Sequence, residues 1–189
     1  MIKLVELLTE SNTGQFWYHG RAIDNDKFSL DYVGSQLAYD QEGPGFYFTD
    51  NFENAKRYSY PNGIVLTCNV YYNKILIKDK TKVNKNIVID LIKNSPVRDD
   101  MLTNFDENPK IAFVKAVNSY VTYKLATESY QTIAHDFYKY NSKEYLIEIS
   151  KYYDGQKVLN LRSIGLDTDI THLIVYRPDI IKVLEKTTI

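Results

Sequence analysis

The sequence predicts an α+β fold in which a mixed β-sheet is interrupted by a helical insert. Segments rich in β-branched and aromatic residues lie before residue 78 and after residue 156. The stretch between them repeats apolar residues at helical spacing. Strands on both sides of a block of helices are typical of α+β proteins, whereas a parallel sheet would alternate strands with helices.

The predicted strands are runs of Val, Ile, Leu, Tyr and Phe bounded by turn residues. They span residues 16–19, 46–49, 64–70, 74–77, 157–161, 173–176 and 180–184.

The predicted helices have apolar residues three to four positions apart. For the short helix after the second strand, Asp50 is the expected N-cap, with Glu53 three residues on. The helices span residues 2–8, 35–40, 51–60, 86–93, 110–127, 130–140 and 143–152.

Composition limits the function classes. The chain has 189 residues, 44% of them apolar and 25% charged, with a net charge of −1. No basic excess favours non-specific nucleic-acid binding, and no apolar run is long enough to cross a membrane. The single cysteine, Cys68, excludes an internal disulfide, and its apolar surroundings predict a buried, inert thiol. We expect a reducing, cytoplasmic location and no membrane partner.

Two motifs in the first third of the chain carry the functional signal. The first, Tyr18-His19-Gly20-Arg21, places a histidine and a glycine at the end of a predicted strand. The second runs from Gly43 to Asp50 as GPGFYFTD, a glycine-rich turn that opens the next strand. A helix containing Tyr58 follows at once.

This order resembles the nucleotide-binding half of the ADP-ribosyltransferase fold, in its diphtheria-toxin and poly(ADP-ribose)-polymerase branch. The end of the chain, Tyr153-Asp154-Gly155 and then residues 173–182 (LIVYRPDIIK), resembles phage-encoded members of this family. The resemblance covers residues 15–78 and 150–183. It implies a split mixed sheet with NAD as the substrate.

The resemblance also implies roles for individual residues in NAD binding. His19 would hold the adenosine ribose, and Gly20 would let the backbone face the nicotinamide amide. Tyr47 and Tyr58 would enclose the nicotinamide ring, because aromatic faces bind cationic rings. The alternative is that His19 is an ordinary core histidine and that both tyrosines are core aromatics.

Two further residues belong to the predicted NAD site. Gly45 would allow close approach of the loop to the ligand. Arg21 is a candidate for the pyrophosphate, although an isolated surface arginine is more often a solvated charge.

The third motif of the family departs from its usual pattern. The catalytic glutamate would fall at His172, six residues before Pro178. Asp169 and Asp167 lie in the same segment and would replace it if the register differs by a few residues. The predicted catalytic residues are therefore His172, Asp169 and Tyr47, the last because it would contact the leaving nicotinamide. The three histidines lack metal-ligand spacing, so no metal site is predicted.

Three functions are compatible with these residues. The first is a mono-ADP-ribosyltransferase that uses NAD to modify a host protein or nucleic acid, with residues 162–171 next to the target. The second is a non-catalytic NAD-binding or virion-packaged protein of the same fold. The third is an NAD glycohydrolase, in which water replaces the target.

Residues 1–14 are predicted to be a separate segment before a domain that spans 15–189. Residues 1–10 are predicted to form a short amphipathic helix, and their sequence resembles the capsid-targeting leaders of large tailed phages, whose protease site Leu8-Thr9-Glu10 fits. With such a leader the protein would be packaged in the virion head. The alternative is an N-terminal helix that docks on the domain.

The proposed pocket makes one geometric demand. We expect His19 and Tyr47 on adjacent central strands, with their side chains facing one cleft and within about 10 Å of each other, since neighbouring strands lie about 4.8 Å apart. Side chains on opposite faces of the sheet would end the interpretation of this region as an NAD pocket.

Overall fold

A seven-stranded mixed sheet forms the centre of the structure. The computed structural model describes residues 15–33, 43–122, 125–162 and 169–189. Within these ranges the strands are β1 (Trp17–Arg21), β2 (Phe46–Thr49), β3 (Ile64–Val70), β4 (Ile75–Ile77), β5 (Gly155–Arg162), β6 (Asp169–Val175) and β7 (Ile181–Thr188). Their order across the sheet is β4-β5-β6-β2-β1-β3-β7. Only β4 and β5 pair in parallel.

Six helices lie within the described residues, and five of them connect β4 to β5. They are α1 (Phe52–Arg57), α2 (Lys85–Lys93), α3 (Arg98–Leu102), α4 (Pro109–Val121), α5 (Ala126–Phe137) and α6 (Ser142–Ile149). The predicted α+β class, mixed sheet and helical insert are confirmed. The predicted helices at 2–8 and 35–40, and the leader as a whole, lie outside the described residues.

The largest boundary error concerns the helix predicted at 110–127. In the structure α4 ends at Val121 and α5 already begins at Ala126. The side chain of Asn108 caps α4 by accepting from the backbone N–H groups of Lys110 and Ile111. The N–H of Ala126 donates to the Thr81 carbonyl. This tertiary bond fixes the start of α5, which apolar spacing alone does not reveal.

The expected cap of α1 was also wrong. Asn51 is the N-cap, and its side-chain oxygen accepts from the N–H of Asn54 at 2.9 Å. The Asp50 carboxylate instead accepts from the backbone N–H of Thr171 on β6, at 2.9 Å. Asp50 therefore connects the turn after β2 to the neighbouring strand β6. Helix α1 ends at Arg57, with Tyr58 as its C-cap.

Two hydrophobic clusters pack on opposite faces of the sheet. On the helical face, sheet residues such as Leu76, Val158 and Ile174 pack against the helical insert. On the other face, called the strand face, the buried residues are Trp17, Phe46, Phe48, Ile64, Leu66, Cys68, Val70, Leu173 and Val175. Full burial of one large apolar side chain stabilises the fold by about 1.5–3 kcal/mol, so both clusters contribute strongly.

Cys68 belongs to the strand-face cluster and is fully buried. Its burial raises the pKa of the thiol to about 12, which keeps the sulfur protonated and unreactive at neutral pH. The prediction of a buried thiol is confirmed. No described helix combines the length and hydrophobicity needed to cross a bilayer.

Asp154 joins the start of β5 to the turn before β4. One carboxylate oxygen accepts from the N–H groups of Asn73 and Lys74, at 2.8 and 3.0 Å. The other lies 3.4 Å from Arg177. The backbone of Asp154 also bonds to Lys74 and to Tyr176. This aspartate therefore holds together the edge of the sheet at which the helical insert begins and ends.

Asp154→Ala is expected to lower the free energy of unfolding by about 1–3 kcal/mol, because two N–H groups lose a charged acceptor. Denaturant unfolding followed by circular dichroism measures the change. Asp179→Ala is the control, since Asp179 also pairs with Arg177 but its side chain is 64% exposed; we expect a change below about 0.5 kcal/mol. Equal losses in the two variants would show that the ion pairs, not the backbone bonds, stabilise this edge.

Candidate functional site

The sheet is weakest between β1 and β2. All five residues of β1 pair with β3, and all four residues of β2 pair with β6. Between β1 and β2 only Tyr18 and Thr49 are paired. The two central strands therefore part beyond this pair, and the first two sequence motifs flank the resulting split.

The imidazole of His19 spans this split. Its Nδ1 lies 2.6 Å from the backbone carbonyl oxygen of Tyr47. A carbonyl only accepts, so Nδ1 donates the proton and Nε2 of the neutral ring carries the lone pair. Burial, followed by the nearby Arg21 cation, lowers the pKa of His19 to about 4, although the bond to Tyr47 acts in the opposite direction. At neutral pH His19 is thus an uncharged link between the two strands.

His19 and Tyr47 lie on adjacent central strands, but their side chains do not face one cleft. The His19 ring contacts Phe28 and Phe48, with centroids 5.1 and 5.3 Å away, on the strand face. Tyr47 lies between the buried Phe46 and Phe48 in the sequence and packs against the helical-face cluster. The expectation of a shared face is wrong, and it contradicts the NAD pocket in its predicted form, a single cleft lined by both His19 and Tyr47.

The remaining motif residues gather on the helical face. Tyr18, Thr49 and His172 are direct cross-strand partners, and directly paired residues share a face. Strand alternation adds Gly20 and Tyr47 to the same face. Helix α1 covers this region, because the ring of Phe52 packs edge-on against Tyr18 at 5.5 Å.

Gly20 is required by the packing of α1. A Cβ at this position would lie 1.9 Å from the carbonyl oxygen of Ala55, and 3.1 Å from the Cβ of Tyr58. The predicted reason for this glycine was close approach to a ligand, but the structure shows close approach to a helix. The same contact places Tyr58, which is 55% exposed, directly beside Gly20.

Gly45 also has a packing role. A Cβ at this position would lie 2.3 Å from a methyl group of Ile174 on β6. In the same turn, the Tyr47 hydroxyl donates to the Gly43 carbonyl at 2.6 Å. These contacts fix the Tyr47 ring against the helical face, so its position is set before any ligand binds.

Arg21 is not a solvated charge. Its Nη1 donates to the carbonyls of Asn25 and Lys27, at 2.7 and 2.9 Å, and its guanidinium lies 4.3 Å from the centroid of the Phe28 ring. Arg21 therefore shapes the loop after β1. Phe28 was missed by the sequence analysis, because a single phenylalanine in a polar loop has no periodic pattern to mark it.

His172 lies on β6, opposite Thr49. Its Nε2 is 3.4 Å from Oδ1 of Asn54 on α1. Asn54 is 3% exposed and was also missed, although its position four residues before Tyr58 places both on one side of the helical turn. The structure thus brings the third motif to the helix that follows the second.

Asp169 does not join His172. It is exposed at the first position of β6 and pairs with Arg162 of β5. His172 is three positions further along this strand, an odd number, so the two side chains point to opposite faces. Asp167 lies outside the described residues.

No protein-family model, curated protein or solved structure matches this chain. Its own residues are therefore the only guide to function. A shallow groove lined in part by Ile147, Lys151, Tyr176 and Arg177 contains none of the predicted site residues. Its two cations are paired with neighbouring carboxylates, so the split between β1 and β2 is the better candidate.

The lowered pKa of His19 predicts a pH dependence of stability. Between its ordinary value of 6.5 and about 4, the unfolded chain binds a proton at this residue and the folded chain does not. Stability contributed by neutral His19 is therefore complete above pH 6.5 and is lost as the pH falls, by at most about 1.4 kcal/mol per pH unit.

The measurement is the free energy of unfolding of wild type and His19→Gln from about pH 7 to pH 4. The difference between the two curves removes the contribution of carboxylates, which titrate in both proteins. We expect the wild type to lose more stability on acidification. His135→Gln is the control, because the His135 side chain is 78% exposed. Parallel curves for wild type and His19→Gln would contradict the assignment of a neutral, half-buried His19.

Proposed function

We propose that this protein binds NAD at the split between β1 and β2 and acts as a mono-ADP-ribosyltransferase. The observation that carries the proposal is the convergence of three separate motifs on this one place. Gly20, Tyr47, Tyr58 and His172 come from distant parts of the chain and lie on one face, and His19 reaches the same split from the other face.

The helical face suits the nicotinamide end of NAD. Tyr58 is exposed beside Gly20, and Tyr47 lies on the other side of the split on the same face. Aromatic faces attract a cationic ring by about 1–2 kcal/mol when water is excluded. A nicotinamide ring near Gly20 would therefore have aromatic partners from both β2 and α1.

His19 suits a sugar hydroxyl. Its Nε2 is an acceptor, because Nδ1 uses its proton on the Tyr47 carbonyl. The half-buried ring lies on the strand face, so it would bind a hydroxyl presented from that face, whereas the nicotinamide site proposed above lies on the helical face. Arg21, on the strand beside His19, is the nearest predicted partner for the pyrophosphate.

Transfer of ADP-ribose replaces one bond at the ribose C1′ atom with another. The bond from C1′ to the nicotinamide nitrogen breaks, and nicotinamide leaves with the bonding electrons. A nucleophile of the target forms the new bond to C1′ and loses its proton. In the transition state the sugar carries positive charge, and a nearby anion or hydrogen-bond acceptor stabilises that charge.

His172 offers an acceptor but no negative charge when neutral. Loss of one preorganised electrostatic partner typically costs about 10²–10³ in rate, so we expect slow or strongly target-dependent transfer. Polymer synthesis in this family depends on the glutamate that is absent here. The same absence favours a second function, a non-catalytic NAD-binding protein. Transfer to water, an NAD glycohydrolase, is a third outcome of the same chemistry.

The proposal also includes a target and a cellular location. The target would be a host protein or nucleic acid in the cytoplasm. Delivery from a virion head depends on residues 1–10 alone, and a cut after Glu10 in virions would support it.

Tyr58→Ala is expected to weaken NAD binding by about 1–2 kcal/mol, or roughly 5–30-fold, because the ring loses one aromatic face. Isothermal titration calorimetry with NAD measures the affinity. Tyr140→Ala is the matched control, since Tyr140 is 75% exposed in the helical insert. His19→Ala and Tyr47→Ala should also weaken binding, but each removes an intramolecular hydrogen bond as well. Wild-type protein that gives no heat with millimolar NAD would reduce the resemblance to one of sequence motifs.

His172→Glu is expected to increase NAD cleavage, by up to about 10²–10³-fold, because a carboxylate stabilises the cationic sugar better than a neutral ring. Incubation with NAD labelled in the adenosine part, with and without host lysate, separates labelled macromolecules, free ADP-ribose and no reaction. His135→Glu is the control, because it adds the same charge at an exposed histidine. If His172→Glu stays inactive while it still binds NAD, the non-catalytic function should replace the enzymatic one.

A further inference from the structure

Lysines are concentrated at the margin of the sheet formed by β4. Residues 74–85, called here the lysine-rich edge, run from the turn before β4 to the first residue of α2. They contain five lysines and one aspartate, a formal charge of +4, although the whole chain has a net charge of −1. The rest of the chain therefore carries −5. A balanced composition thus conceals a separation of charge along the molecule.

Most of these lysines extend into solvent and have no anionic partner. Lys74, Lys80, Lys82 and Lys85 are exposed. Within the part of the chain that the structure describes, none of these four forms a salt bridge. Five lysines elsewhere do pair with carboxylates. The four ammonium groups are therefore available to an external anion.

Hydrogen bonds hold the backbone of the lysine-rich edge in one conformation. The N–H of Lys78 donates to the Lys157 carbonyl of β5 at 2.9 Å, and the N–H of Ile77 donates to the side chain of Thr81 at 2.8 Å. The Thr81 carbonyl in turn accepts from the N–H of Ala126, the first residue of α5. This last bond brings the partial positive charge of a helix N-terminus to the edge. A backbone ordered in advance also lowers the entropic cost of binding.

Three nearby carboxylates reduce the charge of the lysine-rich edge only in part. Asp79 belongs to the edge and is already included in its charge of +4. Glu128 is exposed in the first turn of α5, and a charge of +3 remains when it is included. Asp154 accepts from backbone N–H groups at the start of the edge, but it also pairs with Arg177, so that pair adds no net charge.

We propose that the lysine-rich edge binds the phosphate backbone of a nucleic acid. Duplex DNA carries one charge per about 1.7 Å of its axis, and the three residues of β4 span about 10 Å. The edge can therefore face several phosphates at once. Interfaces with nucleic acids are polar and positively charged, which is the character of this surface.

Two other polyanionic partners fit the surface less well. The cores of protein–protein interfaces are rich in aromatic residues and depleted of lysine. Attachment to an anionic membrane requires apolar side chains that enter the lipid as well as cations. Residues 61–110, all of which the structure describes, expose no large apolar side chain.

The position of the edge relates it to the split between β1 and β2. Strands β5, β6 and β2 lie between β4 and β1, which places the split about 15 Å from the edge at about 4.8 Å per strand. A bound nucleic acid would extend beyond the edge toward the split. This step rests on the proposed function, and it favours a nucleic acid over a protein as the target of transfer.

Fluorescence anisotropy without NAD tests the surface itself, with a labelled DNA duplex and a labelled single-stranded RNA of equal length as probes. Binding of either probe supports the proposal, and the comparison shows which backbone is preferred. Four lysine–phosphate contacts predict a slope of log affinity against log salt concentration of about −3 to −4. The affinity of the wild type should therefore fall roughly 50–150-fold between about 50 and 200 mM salt.

The edge variant combines Lys80→Gln, Lys82→Gln and Lys85→Gln. We expect its salt slope to fall to about −1, because one of the four contacts remains, and its affinity near 50 mM salt to drop at least about tenfold. Circular dichroism and thermal unfolding verify that the variant is folded, which is expected because the three side chains are exposed.

The control variant combines Lys110→Gln, Lys139→Gln and Lys182→Gln, which are exposed lysines outside the edge. It changes the net charge by the same amount, and we expect its affinity to stay within about threefold of the wild type. Equal weakening in the two variants would overturn the proposal, because net charge alone would then explain binding. So would a wild type that binds neither probe at about 100 μM protein, the weak end of ordinary non-specific affinities. Binding to vesicles with anionic lipid, but to neither probe, would replace the nucleic acid with a membrane.

Labelled NAD separates this proposal from the proposed function. If the bound nucleic acid becomes labelled, and less so with the edge variant, both stand. If the nucleic acid binds but no macromolecule is labelled under any condition, the surface stands and the transferase function fails. If wild type and edge variant label lysate proteins equally and bind neither probe, the transferase function stands and the surface fails.

Discussion

The bond from the His19 ring to the Tyr47 carbonyl is the interaction on which the centre of the molecule depends. Every other neighbouring pair of strands is joined by three or more paired residues, whereas β1 and β2 share one pair. A side chain thus supplies a link that backbone groups supply elsewhere. Because a neutral imidazole donates only one proton, its second nitrogen remains an acceptor at the split. One residue therefore combines a structural link between two strands with a hydrogen-bond acceptor.

Helix α1 connects the pair β1 and β2 to a third strand, β6. It is only six residues long, and an isolated helix of that length is unstable in water. Its stability comes from contacts at both ends and along one side: the Asn51 cap, the fit of Ala55 against Gly20, and the approach of Asn54 to His172. The helix therefore holds β1 and β6 in a fixed relation across β2. A ligand at the split would meet a frame that is already assembled, which lowers the entropic cost of binding.

The sequence predicted the elements better than their relation in space. β2 and β3 were predicted to the residue because compact runs of β-branched and aromatic residues end at clear turns. The junction of α4 and α5 was missed because Leu125 continues the apolar spacing of Val117 and Val121, and only the bond from Ala126 to Thr81 shows where the new helix begins. The opposite faces of His19 and Tyr47 could not be predicted either. They follow from the pairing of Tyr18 with Thr49, and a shift of one residue in that register would have reversed the result.

The residues of the proposed site are under different physical constraints, because some are required by packing and others are not. Gly20 and Gly45 are required by packing, Tyr47 is fixed by its bond to Gly43, and His19 holds the sheet together, so these residues would persist in a protein of this fold whether or not it used NAD. Tyr58 is different, because an exposed aromatic ring beside the split adds little to folding. The strongest support for a ligand at this place thus comes from Tyr58, the side chain that the fold itself needs least.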